Sequence, residues 1–220
     1  MREGQPFFRV DWVLENADVL ARRIGEQLVI TGIAIVVGFV LSFAVAMLVR
    51  RYPRLYAPVL AATGLFYSIP SIALFVLLIP ITGLSLLTAE IALVGYAMVI
   101  LLRNIVTALR SVPPEVLEAA DGMGYTPSQR LWRVEVPIAV PIIVAGLRIA
   151  TVTIMGLVTI ATLIGMGGLG YLIVNIGINQ RFPTATLVGV GLVVILSFII
   201  DALLLFGQRR LTPWSAARGA

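Results

Sequence analysis

The residues with the clearest capacity for specific chemistry lie in one polar segment, Glu118-Ala119-Ala120-Asp121-Gly122-Met123-Gly124. At a fixed distance it is followed by Val134-Glu135-Val136-Pro137. The segment is rich in helix-forming residues and lies between long apolar runs. Its composition suits non-covalent contact with a partner, not the making or breaking of bonds. Two interpretations are open at this point: a docking element for a soluble protein, and a well-capped connecting loop.

The remaining composition excludes most catalytic chemistry. The chain has no cysteine and no histidine, which rules out thiolate nucleophiles, disulfides and histidine-based acid–base or metal sites. All 16 basic residues are arginine, so the lysine that a P-loop ATPase uses to hold nucleotide phosphates is missing. We therefore expect no catalytic residue and no metal site in this chain.

Long apolar runs must position the polar segment. Hydrophobic residues make up 60% of the chain and charged residues 12%, about half the charged fraction of soluble domains. Because about 20 apolar residues cross the hydrocarbon core as a helix, we predict an all-α integral membrane protein with about five transmembrane helices. The predicted spans cover residues 28–49, 58–81, 89–109, 138–163 and 185–206.

The chain divides by composition into three parts. Residues 1–26 alternate apolar and charged side chains, as expected of an amphipathic interfacial segment with Trp12 at headgroup level. Residues 27–210 form the transmembrane domain, with the polar loop at 111–137, and residues 211–220 form a cytoplasmic tail. One side of the predicted membrane collects nine arginines and the other collects five, which places the first side in the cytoplasm. The nine are Arg50, Arg51, Arg54, Arg110, Arg130, Arg133, Arg209, Arg210 and Arg218, and the five are Arg2, Arg9, Arg22, Arg23 and Arg181. With five spans, the N-terminus is expected outside and the C-terminus inside.

The polar loop is predicted to form two short helices. Pro113-Pro114 can open the first helix. Gly122 and Gly124 are both candidate stop signals, because glycine adopts the left-handed conformation at low cost, and Gly124 is expected to form the elbow. Thr126 is the predicted N-cap of the second helix, with Gln129 as the return partner of a capping box. We expect this second helix to end at Pro137, where the fourth span begins. Two helices joined by a tight elbow make a rigid protrusion.

The loop is similar to the signature loop of the permease subunits of binding-protein-dependent ABC importers. That pattern is Glu-Ala-Ala, three residues, Gly, nine residues, then Ile-x-Leu-Pro. Its positions are filled here by Glu118, Ala119, Ala120, Gly124, Val134, Val136 and Pro137. The resemblance implies the type I permease fold seen in methionine importers, and a first loop helix that inserts into a groove on an ATPase subunit. The coupling residues it implies are Glu118, Ala119, Ala120, Asp121, Gly124 and Pro137.

The same resemblance implies a set of partners. Two copies of an ATPase subunit would bind ATP and Mg, so this chain would carry no cofactor and would be a transport subunit, not an enzyme. A second permease subunit, identical or homologous, would complete the pathway. A separate extracytoplasmic binding protein is implied, because the chain ends without a fused substrate-binding domain. Membrane lipid surrounds the spans, and no nucleic-acid partner is expected.

Further motifs resemble the osmoprotectant branch of this family, whose members carry glycine betaine, choline, carnitine and related quaternary amines. The motifs are Arg103-Asn104, Gly146-Leu147-Arg148, Gly165-Met166-Gly167-Gly168-Leu169-Gly170 and Asp201. Two alternatives stay open. One is a permease for another small solute, such as methionine, and the other is a non-transport membrane scaffold.

Aromatic residues within the spans are candidates for the substrate pathway. Aromatic faces attract quaternary ammonium groups, which favours Phe66, Tyr67 and Tyr96. Pro70 marks a helix break that could expose a cavity beside the first two. Packing within the protein or contact with lipid is the alternative role for these rings.

Arg103, Arg148 and Asp201 are charged residues that lie within apolar runs of the predicted spans. Arg148 is deepest and completes the candidate pathway, because it could bind a substrate carboxylate. Arg103 is close enough to the cytoplasmic end of its span to extend its side chain toward it. Asp201 is expected to pair with an arginine of a neighbouring helix, because intramembrane charges usually face protein or water. A substrate role is the alternative.

The glycine motif at 165–170 matches the dinucleotide-binding fingerprint by letter. It follows a predicted membrane span, whereas the fingerprint follows a strand. We therefore predict a tight turn between spans at this point.

Overall fold

The computed structural model of the chain describes residues 8–212, and every regular element in that range is helical. The predicted all-α class is confirmed for this part of the chain. Residues 1–7, and the predicted tail from residue 213 onward, lie outside the described residues. The α-helices are Val10–Glu15 (α1), Ala17–Arg51 (α2), Tyr56–Tyr67 (α3), Ser71–Thr82 (α4), Leu86–Arg110 (α5), Pro114–Gly122 (α6), Pro127–Arg130 (α7), Val136–Ala161 (α8) and Pro183–Leu211 (α9).

Four helical stretches are long and apolar enough to cross a membrane: α2, α5, α9 and the continuous stretch from α7 through α8. A fifth span results if α3 and α4 are counted as one crossing, so the predicted number of about five is confirmed on that count. These two helices meet at an angle of 95°. The second predicted span, 58–81, is thus a bent pair of helices. Pro70 accounts for the break, because a proline disfavours helical backbone in the residue before it.

Helix α2 is longer than the apolar run that predicted it. It begins at Ala17 and continues without interruption to Arg51, so the division proposed at residue 26 falls inside a helix. Its polar first turns extend the helix beyond the membrane-spanning part, which a search for apolar residues does not detect. The preceding helix α1 is a single short segment in which Trp12 packs edge-on against Phe182, with ring centroids 5.2 Å apart.

The core is formed where α2, α5 and α8 pack together. Small residues allow this close approach: a Cβ atom placed on Gly38 of α2 would lie 2.9 Å from the Cβ atom of Ala97 on α5. A Cβ atom on Gly146 of α8 would overlap the Asn104 side chain of α5. Both contacts hold α5, which carries several of the candidate residues, firmly between its neighbours.

The glycine motif forms the predicted tight turn. Helix α8 ends in a 3₁₀ turn at Thr162–Ile164, and Gly165 and Gly168 both have positive φ angles, of 83° and 85°. The turn is anchored to α2 by Gln27, which is fully buried. The Gln27 amide nitrogen donates to the carbonyl oxygen of Met155 (2.9 Å), and its Oε1 accepts from the backbone N–H of Leu169 (3.1 Å).

Candidate functional site: the loop between α5 and α8

The first part of the loop is α6, which ends in a sharp elbow. The helix begins at Pro114, and Gly124 adopts the predicted left-handed conformation, with φ of 80°. The N–H of Gly124 bonds to the carbonyl of Asp121 (2.9 Å), and the N–H of Tyr125 bonds to the carbonyl of Ala120 (3.1 Å). This pair of bonds is the Schellman arrangement, which satisfies the last carbonyls of a helix. The elbow is therefore a defined turn.

The second part begins with the predicted capping box. The Thr126 hydroxyl accepts from the N–H of Gln129 (3.3 Å), and the Gln129 side-chain oxygen accepts from the N–H of Thr126 (2.9 Å). Helix α7 then widens into a π-helical turn at Leu131–Glu135 and continues directly into α8. The predicted helix end at Pro137 is wrong. A proline has no N–H to donate to the preceding turn of a helix. Pro137 is tolerated because the π-helical turn before it shifts the pattern of backbone hydrogen bonds at this point.

Glu135 joins the loop to the membrane helices. Only 4% of this residue is exposed, and its carboxylate accepts hydrogen bonds from Arg50 at the end of α2 (2.9 and 2.6 Å) and from Arg130 (3.0 Å). Arg130 also binds Asp121 of α6, with 2.5 Å between nitrogen and oxygen. We call these four residues the Glu135 cluster. It connects α2, α6 and the π-helical turn through charge-assisted hydrogen bonds, which are stronger than neutral ones.

Sequence reasoning missed most of this cluster. From sequence alone, Arg50 and Arg130 serve only as markers of membrane orientation, and Glu135 is a motif position without a predicted role. A signal was present: Glu135 occupies the variable position of the Val-x-Val-Pro motif, where a charge beside an apolar span needs a partner. The identity of that partner required the fold, because Arg50 precedes Glu135 by 85 residues.

The exposed face of α6 and its elbow form a compact surface. Glu118, Ala119, Gly122 and Met123 are exposed, Met123 by 67%, and we call these four residues the docking surface. Among the other predicted coupling residues, Ala120 is buried on the inner face of α6. Asp121 is exposed and forms an ion pair with Arg130. The structure thus brings the predicted residues from Glu118 to Gly124 together. Pro137 lies apart from them, in the first turn of α8.

Three of the four predicted pathway residues meet at the break between α3 and α4. The ring of Tyr96 contacts the ring of Phe66 edge-on, with centroids 5.7 Å apart, and the ring of Tyr67 at 6.1 Å. The Tyr96 hydroxyl donates to the carbonyl oxygen of Ile69 (2.5 Å), which lies in the break itself. We call Phe66, Tyr67 and Tyr96 the aromatic cluster.

Arg148 lies elsewhere and has a partner. Its Nε and one terminal nitrogen donate to the two carboxylate oxygens of Asp201 on α9, both at 2.7 Å. The predicted pairing of Asp201 with an arginine of a neighbouring helix is therefore observed. This two-point geometry occupies the fork of the guanidinium group that a substrate carboxylate would use.

The described residues contain no group of three or more side chains suited to hold a metal ion. The loop itself offers the docking surface and the charges of the Glu135 cluster. An exposed helical face stands on a turn of defined geometry and is joined by ion pairs to a membrane helix. Such an arrangement can transmit a displacement of the loop to the spans.

Comparison with known proteins places the chain in a family. Residues 28–213 match the family described as "Binding-protein-dependent transport system inner membrane component". The osmoprotectant import permease protein OsmW of Salmonella typhimurium is 37% identical over 93% of this chain and 97% of its own length. The glycine betaine/carnitine/choline transport system permease protein OpuCB of Bacillus subtilis is 34% identical over 90% of this chain and 91% of its own.

A solved structure agrees with the sequence comparisons. A chain of the MetNI methionine ABC transporter, in an inward-facing conformation, superimposes with a TM-score of 0.82. It is 29% identical, over 90% of this chain and 98% of that one. The type I permease fold predicted from the loop is confirmed. The chain belongs to the binding-protein-dependent transport system inner membrane components, the membrane-spanning permease subunits of ABC importers.

Proposed function

We propose that this chain carries a quaternary-amine osmoprotectant, such as glycine betaine, choline or carnitine, across the cell membrane. The observation that carries the proposal is the 37% and 34% identity, over nearly full length, to permeases named for osmoprotectants and for glycine betaine, carnitine and choline. The aromatic cluster adds physical support, since aromatic faces attract quaternary ammonium groups. Methionine is the second candidate, because the methionine transporter chain is 29% identical.

The transport cycle would be driven from the docking surface. In this proposal two ATPase subunits bind ATP and Mg, dock against α6 beneath two permease subunits, and receive solute from a separate extracytoplasmic binding protein. Closure of the ATPase pair moves α6, and the Glu135 cluster passes that motion to α2. The N-terminus lies outside and the C-terminus in the cytoplasm, so that the docking surface faces the ATPases. The work of this chain is a shift between two packed states.

Within the spans, the aromatic cluster would line the substrate pathway beside the break between α3 and α4. Arg148 would support the pathway without contacting solute, because Asp201 already occupies its guanidinium group. Any contact made by the aromatic rings would be weak, leaving high-affinity recognition to the binding protein.

The coupling proposal is tested at Gly124. A side chain in left-handed backbone costs about 1–2 kcal/mol, and asparagine tolerates that region better than other residues. Gly124→Val should therefore lower solute uptake while ATP hydrolysis and membrane insertion persist, and Gly124→Asn should stay close to wild type. Gly207→Val is the control, because no atom lies within 4 Å of a Cβ placed at Gly207 of α9. Normal uptake by Gly124→Val would refute the docking assignment.

The solute is tested by uptake of radiolabelled glycine betaine, choline and methionine into proteoliposomes that contain all subunits. Uptake of a quaternary amine without methionine supports the proposal. Uptake of methionine alone selects the second candidate. Purification of the chain without any ATPase whose activity responds to loaded binding protein would favour a non-transport scaffold.

A further inference from the structure

A cavity of about 660 Å³ lies between α3 and the C-terminal half of α5. Its volume falls within the range of roughly 300–1,000 Å³ that is usual for small-molecule sites. The lining residues are Gly64, Tyr67, Val99, Ile100, Arg103, Asn104 and Thr107. Three of these side chains are strongly polar, and they follow one another along a single stripe of α5. Two other cavities in the spans each have one ionisable side chain in their lining, Asp201 in one and Glu90 in the other, and neither is lined by an arginine.

Arg103 is the charged group of this cavity. It precedes Arg110, the last residue of α5, by seven positions, or about 10 Å along a helix axis. Its side chain is exposed and forms no ion pair with any residue in the range 8–212. In this respect Arg103 differs from Arg148 and Arg50, each of which binds a carboxylate. Its guanidinium fork is thus available for an anionic group within the cavity.

Tyr67 links this cavity to the aromatic cluster. It lines the cavity, is 53% exposed, and contacts the ring of Tyr96. The cavity therefore presents an aromatic face and a guanidinium group to the same space. Such a pair of groups complements a zwitterion, whose ammonium binds the ring and whose carboxylate binds the arginine. A solute that has an ammonium group and no carboxylate can bind the aromatic ring but not the arginine.

The cavity wall that carries Arg103 is held in place by the contacts of Asn104, which also lines the cavity. Asn104, the next residue, packs against Gly146 of α8 so closely that a Cβ atom at Gly146 would overlap it. The Asn104 amide also donates to the carbonyl oxygen of Ile100 (2.8 Å). These contacts fix the rotation of α5 about its own axis, and with it the direction in which the cavity stripe faces.

We propose that this cavity is a transit site for quaternary amines that carry a carboxylate, with Tyr67 contacting the ammonium and Arg103 the carboxylate. The inference rests on the proposed function and deepens it, because it makes the permease itself selective for zwitterionic members of that class. Arg103 thereby takes the role of carboxylate ligand that sequence reasoning gave to Arg148.

The experiment compares two solutes in the complete importer, reconstituted in proteoliposomes. Glycine betaine and choline share a trimethylammonium group, and only glycine betaine has a carboxylate. Arg103→Gln should lower glycine betaine uptake by about tenfold or more, the effect of losing a charge-assisted hydrogen bond, and leave choline uptake close to wild type. Arg103→Lys should recover part of the loss. Tyr67→Leu should lower uptake of both solutes, and Tyr67→Phe should preserve both.

Two controls separate the site from folding and from the proposed function. Arg209→Gln, at the exposed C-terminal end of α9, should leave uptake of both solutes unchanged. ATP hydrolysis stimulated by loaded binding protein should persist in every variant. If the wild-type importer carries betaine but not choline, the deciding measurement is betaine uptake by Arg103→Lys compared with Arg103→Gln, and the lysine variant should take up more.

Each remaining outcome overturns one proposal or the other. Equal loss of both solutes in Arg103→Gln, loss of stimulated ATP hydrolysis, or no recovery with lysine would assign Arg103 a structural role and refute the transit site. An unchanged ratio of betaine to choline uptake would refute it as well. If the wild-type importer carries neither of these solutes and does not carry carnitine, the proposed function fails, whatever the variants do.

Discussion

Replacing Glu135 with alanine should loosen the polar loop from the membrane helices and lower the stability of the whole subunit. Glu135 is the buried member of the Glu135 cluster and accepts all three hydrogen bonds from Arg50 and Arg130. Without its carboxylate, α2 is no longer tied to the loop at this point. We therefore expect both a loss of free energy of unfolding and weaker coupling between ATP hydrolysis and uptake.

The magnitude follows from burial. Removing one partner of a buried ion pair costs about 3–5 kcal/mol, because the other charge is left uncompensated. The side chains of Arg50 and Arg130 are 28% and 26% exposed, however, so both can regain water, and Arg130 keeps its bond to Asp121. The expected loss for Glu135→Ala is therefore about 2–4 kcal/mol, and Arg50→Ala should cost less because it leaves Glu135 with one partner.

The assay is equilibrium unfolding in detergent micelles, followed by tryptophan fluorescence. Trp132 lies in the same π-helical turn as Glu135, and its ring packs against Phe43 with centroids 5.8 Å apart. A background in which Trp12 and Trp214 are replaced by phenylalanine makes Trp132 the only reporter. The variants are Glu135→Ala, Arg50→Ala and the double substitution, with Glu15→Ala as the control at an exposed position on α1.

The double substitution decides whether the two residues act together. If they do, the double variant should be more stable than the sum of the single losses predicts, by about 1 kcal/mol or more. The control should stay within about 0.5 kcal/mol of the background protein. Losses that simply add, or a Glu135→Ala variant as stable as the control, would show that the Glu135 cluster does not hold the loop to α2.

Two further predictions concern packing and charge within the spans. Gly146→Ala should destabilise the protein by about 1–3 kcal/mol through overpacking. Gly156→Ala on the same helix, where an added Cβ has open space, should be neutral or slightly stabilising. Unfolding in micelles measures both variants, and equal effects on stability would contradict the close packing at Gly146. Asp201→Ala should cost about 2.5–3.5 kcal/mol, because it leaves Arg148 unpaired within a span. Replacing both by leucine should restore most of that loss, and a double variant no better than Asp201→Ala would refute the pairing.

The features that sequence predicted well are local ones. The capping box at Thr126 and the left-handed Gly124 depend on residues at most a few positions apart, so their chemistry can be read directly from neighbouring letters. The spans likewise follow from runs of apolar residues whose length must match the bilayer. Helix α6 was predictable for the same reason, because it begins at a proline and ends at a glycine.

The features that sequence missed depend on distant residues or on backbone detail. The bond between Arg50 and Glu135 requires knowing that the end of α2 lies beside the start of α8. The continuation of the helix through Pro137 depends on a π-helical turn, for which no residue pattern gave a signal. Arg148 was chosen over Arg103 as the pathway arginine because depth in the membrane is visible in sequence, whereas the partner that neutralises Arg148 is not.

The contacts of α2 indicate which parts of the subunit can move. Near one end, Arg50 binds Glu135; near the other, Gln27 binds both Met155 of α8 and the glycine turn that follows it. Because α2 is tied to the α8 region at both ends and packs on α5 through Gly38, these three helices should move together when α6 is displaced. Relative motion is then left to the bent pair α3–α4. That pair has its break before Pro70, and it includes part of the aromatic cluster and one wall of the cavity that contains Arg103, so a change in its bend would open or close that cavity.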